Sequence, residues 1–499
     1  MSRIWRDGLP TPAALAALTL GAVALALSVH ILSPTAILLS LAALFVPYAL
    51  VVAGLPESDL SLGWLVLAAV AARIAFLPAD PMLSDDIFRY VWDGRITLAG
   101  INPFAYPPDA QALAPLRDPD LWPKINHPEV PTIYPPGAQY LFALNALIGG
   151  GVLGIKTLFI LIEAACVAGC GWWLTRTARS NDLDIAPLRA FATYALNPLV
   201  IVVVAWSGHL DVVAWGLLAV GLVVWRFGTT LRSALGATVA IGASIAVKFL
   251  GLAALPLLAV DRDGRGRDLA VGPRIALLAV APVIVIATYL PFLGAGADLF
   301  SGFGTYAEKW RGNDGAYRAV WSTSYFSLDA HAPKRPRTDD GEALFRLEAL
   351  DGPYRRLGWT KEWKGETIPA TTYTAGELAA IVGKATAVFV VGLALLWCLL
   401  TGAPVLAGLL WLLLALYFFA PIVHPWYVAW LIPLAALSSS TPGVKAALVF
   451  SFTSLAAYLA WVSSVGGGPW HVPDWAVAVE YGVVALVAFW EIVFAARRI

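Results

Sequence analysis

Asp85 and Asp86 stand side by side in Ser84-Asp85-Asp86-Ile87-Phe88-Arg89-Tyr90-Val91-Trp92-Asp93-Gly94-Arg95, where an apolar run gives way to the first long polar segment. A carboxylate beside an alcohol takes its proton as the oxygen attacks an electrophile. Cations opposite that base hold the negative charge of a departing phosphate. Candidates for this second task come from other stretches: Lys248 within an otherwise apolar run, His424 and Tyr427 in Val423-His424-Pro425-Trp426-Tyr427, and Arg89 one turn beyond the acids. Tyr134, His209 and Asp211 are candidate substrate contacts. A base facing phosphate-holding cations describes glycosyl transfer from a sugar phosphate, in which the acceptor oxygen attacks the anomeric carbon. Each feature also has a plainer reading: first-turn acids on a helix, a snorkelling lysine, and a His209–Asp211 pair pinning a hairpin.

The elements that position these groups follow from local pattern. Ser84 is expected to cap a short helix with Asp85 and Asp86 in its first turn, where carboxylates suit unpaired N–H groups. At helical spacing Asp86, Arg89 and Asp93 form one polar stripe, with Ile87, Phe88 and Val91 turned another way. That is an amphipathic helix for a membrane surface. Neighbouring helical residues diverge by about 100°, so one of the two aspartates is the base and the other bonds the loop or the helix N–H groups. An i+3 pairing of Asp86 with Arg89 favours Asp85 as the base. Asp93 is also expected to pair with Arg89. The prolines of 79–134 forbid long helices and suit a rigid loop.

The whole chain reads as a polytopic membrane protein. Of its 499 residues 59% are hydrophobic and only 13% charged, against about a quarter charged in soluble domains. The formal net charge is zero, which gives no support for nucleic-acid binding. Cys166, Cys170 and Cys398 lie in apolar runs, so neither a disulfide framework nor a thiolate metal site is suggested. Apolar runs are expected to cross at about 13–32, 35–54, 61–78, 152–175 and 275–294, then about 378–400, 403–423, 426–437, 443–465 and 475–496. With the central runs the total comes to about fourteen crossings. Residues 137–150 are too short to span and read as a surface or re-entrant helix. Residues 233–260 have basic flanks on both sides, so two short helices breaking at Lys248 are expected. A domain order follows: helices 1–78, an acidic outer loop 79–151, helices 152–295, a second outer loop 296–376 and helices 377–499. The charged stretch 334–364 reads as a solvated surface. Glu163 reads as a helix–helix contact or a second base, and His471 as an interface residue.

Lys and Arg alternate between short segments. Arg3 and Arg6, Arg176, Arg179 and Arg189, Arg226 and Arg232, Arg262, Arg265, Arg267 and Arg274, and Arg497 and Arg498 mark one side. The segments at Gly208-His209, His424-Pro425 and Gly466-Gly467-Gly468 contain none. The positive-inside rule makes both termini cytoplasmic and places the acids, His209 and His424 on the outer face.

The Asp85-Asp86 loop, Ile133-Tyr134-Pro135-Pro136, Gly208-His209-Leu210-Asp211, Lys248 and His424-Pro425-Trp426-Tyr427 together resemble the GT-C superfamily of integral-membrane glycosyltransferases. The likeness is strongest over about 84–140, and is nearest to bacterial polyprenol-phosphate-mannose-dependent α-mannosyltransferases. The resemblance implies an all-α membrane fold with a first-loop aspartate as base and inversion at the sugar. It implies a polyprenyl-phosphate hexose as donor, a cell-envelope glycolipid or glycan as acceptor, and neither metal nor cofactor. It also implies the plasma membrane of a bacterium, with the site on its periplasmic or extracellular side. The rival reading is a transporter or flippase for an envelope lipid or solute, which should show paired broken helices and midplane charges. A membrane scaffold is a third reading, and it leaves the acids without a task.

Overall fold

The computed structural model describes residues 11–55, 58–177, 186–261, 270–332, 335–338, 340–350, 360–363, 366–438 and 441–496. Arg3, Arg6, Arg179, Arg262, Arg265, Arg267, Arg497, Arg498 and part of the 334–364 stretch lie outside the described residues. Contacts divide the chain into two compact units, one of Met1–Trp310, Trp397–Leu413 and His424–Ile499, the other of Arg311–Leu396 and Leu414–Val423.

The first unit begins with α1 (Thr11–Ser28), α2 (Pro34–Gly54) and α3 (Leu62–Phe76), with α1 packed on both of the others. Ser33 starts α2 by accepting the Ala36 N–H, and Pro34 follows, where a missing N–H does no harm. α3 has 15 residues, shorter than the run at 61–78 that defined it. Next come α4 (Asp86–Leu98), α5 (Pro136–Leu147) and α6 (Gly151–Thr177). α5 has the short, non-spanning length expected of 137–150. α4 lies so close to α5 that a Cβ on Gly94 would meet the Phe142 carbonyl oxygen at 2.2 Å. Only a glycine permits that backbone approach.

The chain then bends. α7 (Pro187–Ala195) and α8 (Pro198–Ile201) meet at Asn197, whose side-chain oxygen accepts the Leu199 and Val200 N–H groups at 3.0 and 3.3 Å. With the π-helical turn Val202–Trp206 they make a pair bent by 55°. α9 (Asp211–Phe227) and α10 (Leu231–Val247) follow as an antiparallel hairpin, with Thr230 and Ser233 closing a capping box between them. α10 ends at Lys248, whose backbone is extended, and the chain folds back through Phe249–Ala253 into Ala254–Ala259. The break expected at Lys248 is present. α9 has Asp211 at one end and Arg226 at the other, and α10 has Arg232 and Lys248 in the same relation, roughly 25 Å apart for 17 residues.

Buried polar bonds tie these helices together. Arg73 of α3 forks onto Glu163 of α6 at 2.7 and 2.8 Å and reaches the Ala195 carbonyl; the Tyr194 hydroxyl donates to Glu163 and accepts the Trp215 N–H. Glu163 is thus a helix–helix contact. A pair withdrawn from water survives when every partner is satisfied, as here.

Among the described residues seven helices are long and apolar enough to cross a membrane, or eight if the bent pair is one span. Five shorter apolar helices accompany them: Leu62–Phe76, Leu231–Val247, Phe249–Ala259, Val405–Phe419 and Pro425–Leu437. The second unit adds Gly315–Ala330 and departs from an all-helical expectation in four short strands, which pair as Leu344–Arg346 with Thr372–Thr374 and Thr360–Trp363 with Glu366–Pro369.

Candidate active site

Asp85 is the residue before α4, with φ −101° and ψ −1°, and Asp86 is the first helical residue. Ser84 does not cap the helix as expected; among the described residues its hydroxyl meets only the Asp86 N–H, at 3.4 Å. Because Asp85 precedes the helix, the 100° divergence does not apply, and both carboxylates converge on one amide. Asn126 Nδ2 donates to Asp85 Oδ1 at 2.7 Å and to Asp86 Oδ1 at 3.1 Å. Arg89 is turned elsewhere. It is buried, bonds Asp93 at 2.8 Å and donates to the Val130 carbonyl. The Asp86–Arg89 pairing is therefore absent, and with it the ground for preferring Asp85. Nor is Arg89 presented to a phosphate, since its guanidinium is committed to the loop fold.

Across from α4 lies the 207–211 turn. Gly208 sits at φ +67°, and a Cβ there would stand 2.6 Å from Ile87 Cδ1 and 3.0 Å from Lys156 Cγ. A glycine is needed both for the backbone angle and for the approach of α4. Lys156 and Trp206 hold the chain leading to the acids, Lys156 Nζ by the Leu77 and Ala79 carbonyls and Trp206 Nε1 by the Asp80 carbonyl. These contacts bring His209 Nδ1 to 3.8 Å from Asp86 Oδ2. His209 stacks on Trp426 with ring centroids 4.0 Å apart, and His424 stacks on the same indole at 4.2 Å.

Asp211 is buried at the start of α9, where its Oδ1 accepts Lys248 Nζ at 2.6 Å and Trp430 Nε1 at 2.7 Å. The Lys248 ammonium lies 4.5 Å from the centre of the Tyr427 ring, a cation–π placement. The Tyr427 hydroxyl meets that of Tyr306 at 2.5 Å. Tyr134 packs edge-on against Tyr90 at 5.0 Å and feels the Asp86 charge. Asp86, Tyr134, His209, Asp211, Lys248, His424 and Tyr427 thus form one neighbourhood, and Arg89, committed to Asp93 and the Val130 carbonyl, borders it through Tyr134, which feels its charge. Asn126, Trp430 and Tyr306 join it without a sequence signal of their own, and Trp426 joins from within the His424–Tyr427 motif.

The electrostatics divide the cluster. Withdrawal from water pushes the Asp86 carboxyl up to about 7; the Asp85 charge adds to the shift, while the Asn126 hydrogen bond and Lys248 oppose it. Its side chain remains 22% exposed, so solvent reaches it. Burial, then the Lys248 and His424 charges, hold His209 well below the usual imidazole range. Burial and Lys248 lower His424 to about 3. Both imidazoles are neutral at pH 7, so His424 offers a ring N–H to this cluster rather than a charge. The positive charge felt by Asp86 and both imidazoles is that of Lys248. Among the described residues no three His, Cys, Asp or Glu gather to hold a metal.

The helical membrane architecture thus carries a carboxylate–ammonium cluster, Asp86 beside Lys248. Residues 8–261, just over half of the sequence, match the family described as alpha-(1->6)-mannopyranosyltransferase, N-terminal domain, and the chain belongs to that family. Among relatives, alpha-(1->6)-mannopyranosyltransferase B of Corynebacterium glutamicum is 28% identical over 154 residues, a stretch that is 30% of this chain and 24% of that protein. The family match contains Asp85, Asp86, Tyr134, His209, Asp211 and Lys248, and ends before Tyr306, His424 and Tyr427.

Proposed function

We propose that this protein is an inverting mannosyltransferase that moves the sugar from a polyprenyl-phosphate donor to a cell-envelope glycolipid or glycan. Asp86 is the base: it takes the acceptor hydroxyl proton as that oxygen attacks the anomeric carbon. The bond from the anomeric carbon to the phosphate oxygen breaks with its electron pair on the phosphate, and Lys248 stabilises the resulting charge. Asp211, Trp430 and the Tyr427 ring hold Lys248 in place, and His424 and Tyr427 offer neutral donors beside it. Tyr134 lines the substrate side, with the buried His209 and Asp211 behind it, and no cofactor is required by these steps. The site faces the periplasmic or extracellular side of a bacterial plasma membrane, the termini face the cytoplasm, and the five shorter apolar helices together with α9 complete about fourteen crossings. A donor anchored in the bilayer suits a site at the membrane surface, where nucleotide sugars are absent. The observation that carries the reading is the carboxylate of Asp86 beside the Lys248–Asp211 pair, with membership of the mannopyranosyltransferase family.

The 55° bent pair and the break at Lys248 also suit a transporter, in which half-helices meet at a binding site. Covalent chemistry separates the two. Purified protein incubated with radiolabelled polyprenyl-phosphate mannose and envelope lipid extract should release polyprenyl phosphate and yield a larger labelled glycan. Recovery of unchanged donor from every extract would overturn the transferase reading.

A further inference from the structure

His209 is 1% exposed, yet neither of its ring nitrogens has a hydrogen-bond partner among the described residues. An imidazole enclosed in this way without partners is unusual, because each lost hydrogen bond is unfavourable. Its plane is set by the Trp426 stack, and its Nδ1 stands 3.8 Å from Asp86 Oδ2, roughly 1 Å beyond a hydrogen bond. The other oxygen of that carboxylate already accepts from Asn126. We propose that His209 is a positioning residue for Asp86: its neutral ring donates from Nδ1 to Oδ2 in the substrate-loaded site, clamping the carboxylate between His209 and Asn126. The two donors fix the carboxylate plane, so the lone pairs left over point at the acceptor hydroxyl. A neutral ring does this without adding a charge beside Lys248. This inference rests on the reading of Asp86 as base.

The groups facing Asp86 come from several elements: Asp85 and Tyr90 beside it, Tyr134, Asp211, Lys248, Tyr306 and Tyr427. His424 faces His209, and His127 faces Asp85. None of them occupies the position of His209 Nδ1, so a variant at 209 changes one donor and leaves the surrounding charges in place.

The test uses the full-length protein and four forms: wild type, His209→Phe, His209→Asn and Asp86→Asn. Phe keeps a ring to stack on Trp426 and removes both nitrogens, while the Asn amide places an N–H near the Nδ1 position. His209→Phe should lower kcat on the order of 10²-fold, as a misaimed reacting group does. Its KM for polyprenyl-phosphate mannose should stay at the wild-type value, and the acid limb of its pH–rate profile should move to higher pH, because the ionised carboxylate loses a donor. His209→Asn should return the limb toward wild type. A His209→Phe protein with wild-type kcat and limb, beside an inactive Asp86→Asn, would overturn the inference and leave the base assignment standing. Equal losses in the Phe and Asn variants would overturn it too, since packing alone would then account for them. Wild-type turnover in Asp86→Asn would overturn the base assignment and this inference with it.

Discussion

With Asp86 as the proposed base, the chemistry of the site and its stability are coupled. A base works ionised, so transfer by the wild-type protein should rise with pH through about 7 and level off above it, because Asp86 titrates there. Asp85→Asn removes a charge that raises this value, and the limb should then move to lower pH. A limb unmoved in Asp85→Asn would show that the two carboxylates do not sense each other. The folded-state value lies above the ordinary 3.8, so the neutral carboxyl favours the fold. That contribution is complete below 3.8 and is lost as pH rises through about 7. Asp86→Asn should therefore melt at a higher temperature than wild type at pH 8, with the difference vanishing near pH 3.5 by differential scanning fluorimetry. The acids themselves were legible from their types and place, and so was Arg89 bonding Asp93 at i+4. What was not legible is Asn126, an uncharged residue forty positions away in a proline-rich loop, which draws Asp86 from Arg89. No periodicity marks such a residue.

At the scale of elements, the site depends on how closely α4, the 207–211 turn and the end of α10 meet. Gly208→Ala adds a carbon 2.6 Å from Ile87 Cδ1 and strains a φ of +67°. It should lower stability by about 1–3 kcal/mol and reduce turnover while donor still binds, measured by melting and by donor binding in detergent. A Gly208→Ala protein with full turnover would show that this approach is not needed. Lys248→Met strands Asp211 as a buried charge, and breaking such a pair typically costs about 3–5 kcal/mol. Adding Asp211→Asn should restore much of the melting temperature but none of the turnover, if Lys248 supports it through the phosphate as proposed. Recovery of both would make the pair a structural device only. The break at Lys248 could be read from the sequence because two basic flanks and one lysine constrain an apolar run. The bend at Asn197 and the π-helical turn after it could not, since Pro198 at a helix start looks the same whether or not the chain kinks.

For the whole molecule, the arginines and the site residues sit at opposite ends of the same helices: Arg226 and Asp211 on α9, Arg232 and Lys248 on α10. This fixes a labelling experiment. A cysteine at exposed Glu129, in the same loop as Asn126, should react with an impermeant maleimide on intact cells, and one at exposed Arg232 should react only after permeabilisation. The reverse pattern would remove the outer-face site. The helical membrane class followed directly from 59% hydrophobic residues and 13% charged. The short strands between Leu344 and Thr374 did not, because three- or four-residue ladders in a charged stretch leave no hydrophobic alternation to read.

The central claim is that Asp86 takes the acceptor's proton. The direct measurement is single-turnover transfer from polyprenyl-phosphate mannose by Asp86→Asn and Asp85→Asn, each saturated with donor. Asn keeps the shape of the side chain but cannot accept the proton. Asp86→Asn should therefore be slower than wild type by about two to four orders of magnitude with unchanged donor affinity. Asp85→Asn should lose far less. Transfer by Asp86→Asn at the wild-type rate would contradict the claim.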